Sequence, residues 1–174
     1  MRIFLTGFMG SGKTTIGPSL ASQLGCKFID QDDLIEHHYN MSVGEVFAKF
    51  GEAKFRETER DVLVEVVAGD NLIISTGGGA PCFFNNMEFM NRYGITVYLK
   101  AEPVTLMNRL KKLTDTRPLL KGKTELELMQ FITDKLNERE PFYQKAILNI
   151  QTDSLDVRQV IQKIVEFSRK AVSK

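Results

Sequence analysis

The chain has 174 residues, 43% of them apolar and 26% charged, with a formal net charge of +1. That length fits one compact domain, residues 1–174, with a core of its own, and the balance of residue types is that of a globular protein with no membrane span. The near-zero charge gives no general electrostatic reason to bind nucleic acid or an anionic membrane, and the opening Met1-Arg2 has no secretory pattern, so a cytoplasmic location is expected.

In chain order, the short apolar run Ile3-Phe4-Leu5 reads as a first strand. It leads at once into Gly7-Phe8-Met9-Gly10-Ser11-Gly12-Lys13-Thr14, the pattern G-x-x-x-x-G-K-[ST]. A strand, a glycine-rich turn and a helix start in this order aim backbone N–H groups and the positive end of a helix dipole at one point, where polyphosphate is held. Residues 14–24 carry a helical apolar spacing that Gly25 ends. Lys27 to Asp30 reads as a second strand, and Asp33–Tyr39 and Val43–Phe50 read as two short helices with a break near Asn40. A longer helix is expected over 53–68, then a uniformly apolar strand Leu72–Ser75 stopped by Gly77-Gly78-Gly79. A helix over 83–93, a strand over 95–99 and a helix over 103–112 follow. Residues 114–124 lack a period and read as a loop. A helix from Glu125 to about Arg139, ending before Pro141, a strand over 146–150 and a helix over 157–171 complete the chain. Strands alternating with helices predict an α/β fold, a parallel sheet covered on both faces.

Ligands of such sheets bind at the carboxyl ends of the strands. Four features fall there: the glycine-rich loop, Asp30 and Asp32, the triple glycine, and the charged loop containing Arg117. Lys13 is expected to neutralise β- and γ-phosphate oxygens and the Thr14 hydroxyl to ligate Mg2+. Asp33 suits helix capping, whereas Asp30 and Asp32 are assigned to chemistry, one near the metal and one accepting a substrate proton. Arg56 alone could be a solvated helical ion pair, and Arg117 and Arg139 could be surface charge. Cys26 and Cys82 share no metal or redox spacing and are expected to be buried small hydrophobes.

Taken together, G-F-M-G-S-G-K-T-T-I-G at Gly7–Gly17, F-I-D-Q-D-D at Phe28–Asp33, F-R-x-x-E at Phe55–Glu59, G-G-G-A at Gly77–Ala80, R-P-L-L at Arg117–Leu120 and E-R-x-P-x-Y at Glu138–Tyr143 closely resemble the shikimate kinase family over nearly the whole chain. The resemblance implies a P-loop kinase fold, a central five-stranded parallel sheet flanked by helices, with a substrate-binding helical segment at about 31–61 and a mobile lid at about 112–124. It implies ATP-dependent phosphorylation of the 3-hydroxyl of shikimate, with Mg2+. Gly10, Ser11, Gly12, Lys13, Thr14, Thr15, Arg109 and Arg117 would bind nucleotide, Arg109 near adenine. Asp32 would bind the ring hydroxyls and act as base, Arg56 and Arg139 would grip the carboxylate, and Gly77, Gly78 and Gly79 would meet the substrate through backbone. Phe47, Phe55, Pro118 and Leu119 would wall the ring, and Asp30 would act on the metal through water. A monomer is expected. Two other readings remain at this point: a kinase of another polyol acid such as gluconate, and a non-catalytic nucleotide-binding module.

Overall fold

The computed structural model describes residues 1–111 and 122–172. Five strands, β1 (Arg2–Thr6), β2 (Lys27–Asp30), β3 (Leu72–Ser75), β4 (Ile95–Lys100) and β5 (Leu148–Gln151), form one sheet in the order β2-β3-β1-β4-β5. Every pairing is parallel, with Leu5 opposite Ser75 and Val97, and Asp30 opposite Ser75. The register therefore brings the carboxyl ends of β2, β3 and β1 to one edge of the molecule. The five-stranded α/β expectation holds.

Seven helices are described: α1 (Lys13–Leu24), α2 (Gln31–Tyr39), α3 (Val43–Val66), α4 (Asn86–Tyr93), α5 (Pro103–Leu110), α6 (Glu125–Tyr143) and α7 (Val157–Val172). Strand alternation splits the core in two. Ile3, Leu5, Ile73, Val97 and Leu99 pack on one face with Ile16 and Leu20 of α1 and Val160, Ile161 and Ile164 of α7. Phe4, Ile74 and Tyr98 point the other way, onto Leu63 of α3, Met87 and Met90 of α4, and Leu106 and Ile132 of α5 and α6. Among the described residues no helix is long and apolar enough to cross a membrane.

Several boundaries differ from the sequence expectation. α2 begins at Gln31, two residues early, because the Asp30 carboxylate accepts from Asp32 N–H at 3.0 Å; Asp30, not Asp33, is the cap. α3 spans both predicted helices, and its kink is at Gly51, with φ 78° and ψ 170°. The predicted helix over 83–93 starts late, at Asn86, because Phe84 and Asn85 take positive φ, and a separate 3-10 turn at Ala80–Cys82 precedes it. α6 runs through Pro141 to Tyr143, whose side chain is fully buried, so tertiary packing outweighs the proline's local penalty. Capping boxes start α3 (Ser42 with Glu45) and α6 (Thr124 with Glu127), each satisfying two N–H groups. Cys26 and Cys82 are free and half-buried rather than buried.

Candidate active site

β1 delivers the chain into the glycine-rich loop, which ends at Gly12, in the left-handed region at φ 105°, and passes directly into α1. A side chain there would be strained, and the turn aims the first N–H groups of α1 out of the sheet edge. Lys13 is buried, its ammonium donating to the carbonyls of Gly7 at 2.8 Å and Phe8 at 3.1 Å. Ser11 Oγ is the one buried side-chain oxygen or nitrogen among the described residues without a hydrogen-bond partner. A buried hydroxyl left in that state is costly unless a ligand atom meets it, so the loop's own chemistry fits an oxygen-rich anion.

The loop walls a cavity of about 540 Å³, lined by Gly10, Ser11, Gly12, Lys13, Thr14 and Thr15, by Asp32 and Gly78, by Arg109, and by Thr76 and Thr152 with Leu155 and Val157. Arg109 Nη1 donates to the Gly10 carbonyl at 3.1 Å and the Ser11 carbonyl at 3.4 Å, which ties α5 to the loop. Thr76, Thr152, Leu155 and Val157 had no place in the sequence reading. The carboxyl-end rule covers all four, since Thr76 follows β3 and the other three follow β5.

A second cluster adjoins the first through the triple glycine. Arg56 is 7% exposed, and its guanidinium donates through Nε and Nη2 to Glu52 Oε1 at 3.2 and 3.1 Å and through Nη1 to Glu59 Oε2 at 2.5 Å. Its Cζ lies over the rings of Phe83, Phe55 and Phe47 at 4.5, 5.2 and 5.4 Å. Backbone proximity is extreme here: a Cβ on Gly79 would lie 2.6 Å from Arg56 Nη1, and one on Gly77 would collide with Glu59 Oε1 and stand 3.1 Å from Asp32 Oδ1. Gly78 sits between the two clusters, where a Cβ would be 3.5 Å from Met9 N and 3.6 Å from both Gly7 O and Arg139 Nη1. Arg139, on α6, also lies 5.7 Å from the Phe8 ring. Thus Arg56 and Arg139 flank the glycines that reach the phosphate loop, although neither lines the nucleotide-side cavity itself.

Glu59 and Gln31 are buried supports that the sequence reading left without a role. Burial pushes the Glu59 carboxyl up to about 7, against the pull of Arg56. The i,i+3 spacing in F-R-x-x-E was the available signal for its pairing with Arg56. Gln31 Nε2 donates to the Glu59 carbonyl at 2.7 Å while its Oε1 accepts from Gly77 N–H at 2.9 Å, joining α2, α3 and the glycine run. From α6, the Tyr143 hydroxyl donates to the Gly78 carbonyl at 2.5 Å. Asp30 is engaged as the α2 cap and does not line the cavity. Arg117, Pro118, Leu119 and most of the expected lid lie outside the described residues.

Comparison with known proteins agrees with this geometry. The family model described as shikimate kinase matches residues 9–169. A shikimate kinase of Bacteroides fragilis is 48% identical over 173 residues, covering 99% of this chain and 97% of its own. A 1.7 Å crystal structure of shikimate kinase from Bacteroides thetaiotaomicron superposes with a TM-score of 0.91 at 47% identity, covering 96% of this chain and 97% of that one. The Acinetobacter baumannii shikimate kinase, solved in complex with shikimate, gives a TM-score of 0.89 at 36% identity, over 99% of this chain and 95% of that one. Matched by the family model over most of its length and by these relatives nearly end to end, the chain belongs to the shikimate kinase family.

Proposed function

We propose that the chain transfers the γ-phosphoryl group of ATP to the 3-hydroxyl of shikimate, giving shikimate 3-phosphate and ADP. The observation that carries this reading is the triple glycine, which touches Arg56 at Gly79, and Arg139 and the phosphate loop at Gly78. An anionic small molecule gripped by the two arginines would therefore lie within reach of a phosphate held by the loop. Family membership and the shikimate-bound relative support the choice of substrate.

In this mechanism Lys13, the loop N–H groups and Ser11 Oγ take the phosphate oxygens, and Arg109, which lines the same cavity and braces the loop through the Gly10 and Ser11 carbonyls, is assigned to the nucleotide near adenine. Arg56 and Arg139 bind the carboxylate with charge-assisted bonds, which fixes which hydroxyl faces ATP. Asp32, which lines the same cavity as Lys13, accepts the 3-hydroxyl proton as that oxygen bonds to the γ-phosphorus and the bond to the ADP oxygen breaks. Arg117 is assigned to the charge spread on the transferring group, and Phe47, Phe55, Pro118 and Leu119 to the walls of the substrate ring. Mg2+ fits a donor set of the Thr14 hydroxyl with Asp30, at the end of β2, acting through water, because this cation is commonly held by one or two carboxylates plus waters and phosphates; when bound it would neutralise charge on the β- and γ-phosphates. The reading further takes residues 1–174 as one cytoplasmic, monomeric kinase domain.

ADP release measured with and without shikimate tests the proposal. Strong stimulation by shikimate, and none by gluconate, is the expected result. ATP hydrolysis that ignores shikimate would reject it, and ATP binding without any shikimate binding would point to a non-catalytic module.

A further inference from the structure

α3 presents Arg56 and Arg60 four residues apart, hence on one face, and both hold the segment that follows the triple glycine. Arg56 meets that segment twice. The Gly79 backbone passes against Nη1, and the Phe83 ring stands 4.5 Å from Cζ, nearer than either Phe47 or Phe55. Between these points the chain makes a single 3-10 turn, closed by Cys82 N–H donating to the Gly79 carbonyl at 2.9 Å. Residues 79–83 therefore clasp the guanidinium.

The clasp is anchored from the far side. Phe84 and Asn85 have φ of 49° and 54°, a region that a bulky residue occupies only when its surroundings dictate it. Asn86 supplies the constraint. It is fully buried, its N–H donates to the Phe83 carbonyl at 2.8 Å, its Nδ2 to the Ala80 carbonyl at 2.8 Å, and its Oδ1 accepts from Arg60 Nη1 at 3.0 Å. Arg60 in turn lies 3.9 Å over the Phe89 ring of α4. Phe83 itself remains 36% exposed, so filling the core is not what fixes its position.

We propose that Phe83 is a positioning residue for the substrate carboxylate: its ring, set by the Asn86–Arg60 anchor, completes an aromatic enclosure that fixes the Arg56 guanidinium and strips its water. This deepens the shikimate kinase reading and rests on it. A guanidinium has five N–H donors, of which three bond to Glu52 and Glu59, leaving two for an incoming acceptor. Enclosed by apolar rings, those two donors lose hydration and bind a carboxylate more strongly than exposed ones would. A polyol without a carboxylate gains nothing from the enclosure, so Phe83 also sharpens selection for an acid.

The test is steady-state kinetics of Phe83→Ala, Phe83→Leu and Phe83→Tyr, with KM measured for shikimate and for ATP. Leucine keeps apolar bulk without a π face and guards against a fold defect in the alanine variant. Alanine and leucine are expected to raise the shikimate KM about 5- to 20-fold, with kcat and the ATP KM within about twofold of wild type, and tyrosine to restore wild-type behaviour. A leucine variant indistinguishable from wild type, or losses shared equally by both substrates, would overturn the role of Phe83 while leaving the reaction assignment intact. A wild-type protein with no turnover on shikimate would remove both.

Discussion

Gly79→Ala isolates the contact on which the carboxylate grip depends. Gly79 has φ −91° and ψ −24°, a conformation open to any L-residue, so the added methyl strains no backbone. It would, however, stand 2.6 Å from Arg56 Nη1 and 2.8 Å from both Cζ and Nη2. Carbon contacts settle near about 3.5 Å, so the guanidinium must retreat by roughly 1 Å. It has nowhere easy to go. Glu52 and Glu59 hold its edge, three rings close around Cζ, and Glu59 is itself only 1% exposed. A displacement of this size in a substrate-positioning group can cost on the order of 100-fold in rate. We therefore expect kcat/KM for shikimate to fall about 30- to 100-fold, mostly through KM, with the ATP Kd within about twofold of wild type. Coupled ADP-release kinetics and nucleotide calorimetry on the same preparation supply the numbers. A Gly79→Ala protein with wild-type shikimate KM would refute the reasoning, because Arg56 would then not need its observed place.

Three further outcomes follow from the same geometry. Arg139→Ala should weaken shikimate binding about 10- to 100-fold by calorimetry, the worth of a charge-assisted bond, with nucleotide affinity near normal; the reverse pattern would take Arg139 out of the substrate site. Burial raises the Glu59 carboxyl from 4.5 to about 7, so the folded protein holds a proton that the unfolded chain releases earlier. The stability contributed by this group is present below about pH 4.5 and lost as pH rises through about 7. Glu59→Gln should therefore flatten the decline of Tm across that window, and a Tm difference from wild type that does not change with pH would contradict it. Tyr143→Phe leaves the Gly78 carbonyl without its phenolic donor and should cost about 1–2 kcal/mol in urea unfolding while raising the shikimate KM; no change in either would make the bond irrelevant.

Elements whose signal is local were legible in the sequence. The apolar runs of β1, β3 and β4, with the shorter ones of β2 and β5, the G-x-x-x-x-G-K-T turn and the glycine stops carried the strand count, the parallel α/β class and the edge where the site lies. The capping boxes at Ser42-x-x-Glu45 and Thr124-x-x-Glu127 are also local patterns, although the sequence reading did not use them. Local rules failed where distant packing decided. Pro141 argued for a helix end before it, yet Tyr143 is buried against Tyr98, with ring centroids 5.0 Å apart, and bonded to Gly78, which holds α6 in shape past the proline. Phe83 looked like a helix start because nothing in its neighbours announces that Asn86 and Arg60 will force two left-handed residues ahead of α4. The same holds in the site. Lys13 and Asp32 sit on motifs, and the Arg56–Glu59 pair has its i,i+3 spacing, whereas the burial of Glu59 and the bridge made by Gln31 arise only when α2, α3 and the glycine run converge.

The central claim is that the phosphate loop and the Arg56–Arg139 pair serve two substrates in one reaction. A crystal structure with shikimate and a non-hydrolysable ATP analogue tests it most directly. The account predicts the carboxylate on Arg56 and Arg139, the 3-hydroxyl on Asp32 and in line with the γ-phosphorus, and the phosphates on Lys13 and the loop. Shikimate bound elsewhere, or seated with its 3-hydroxyl turned away from the γ-phosphate, would contradict it.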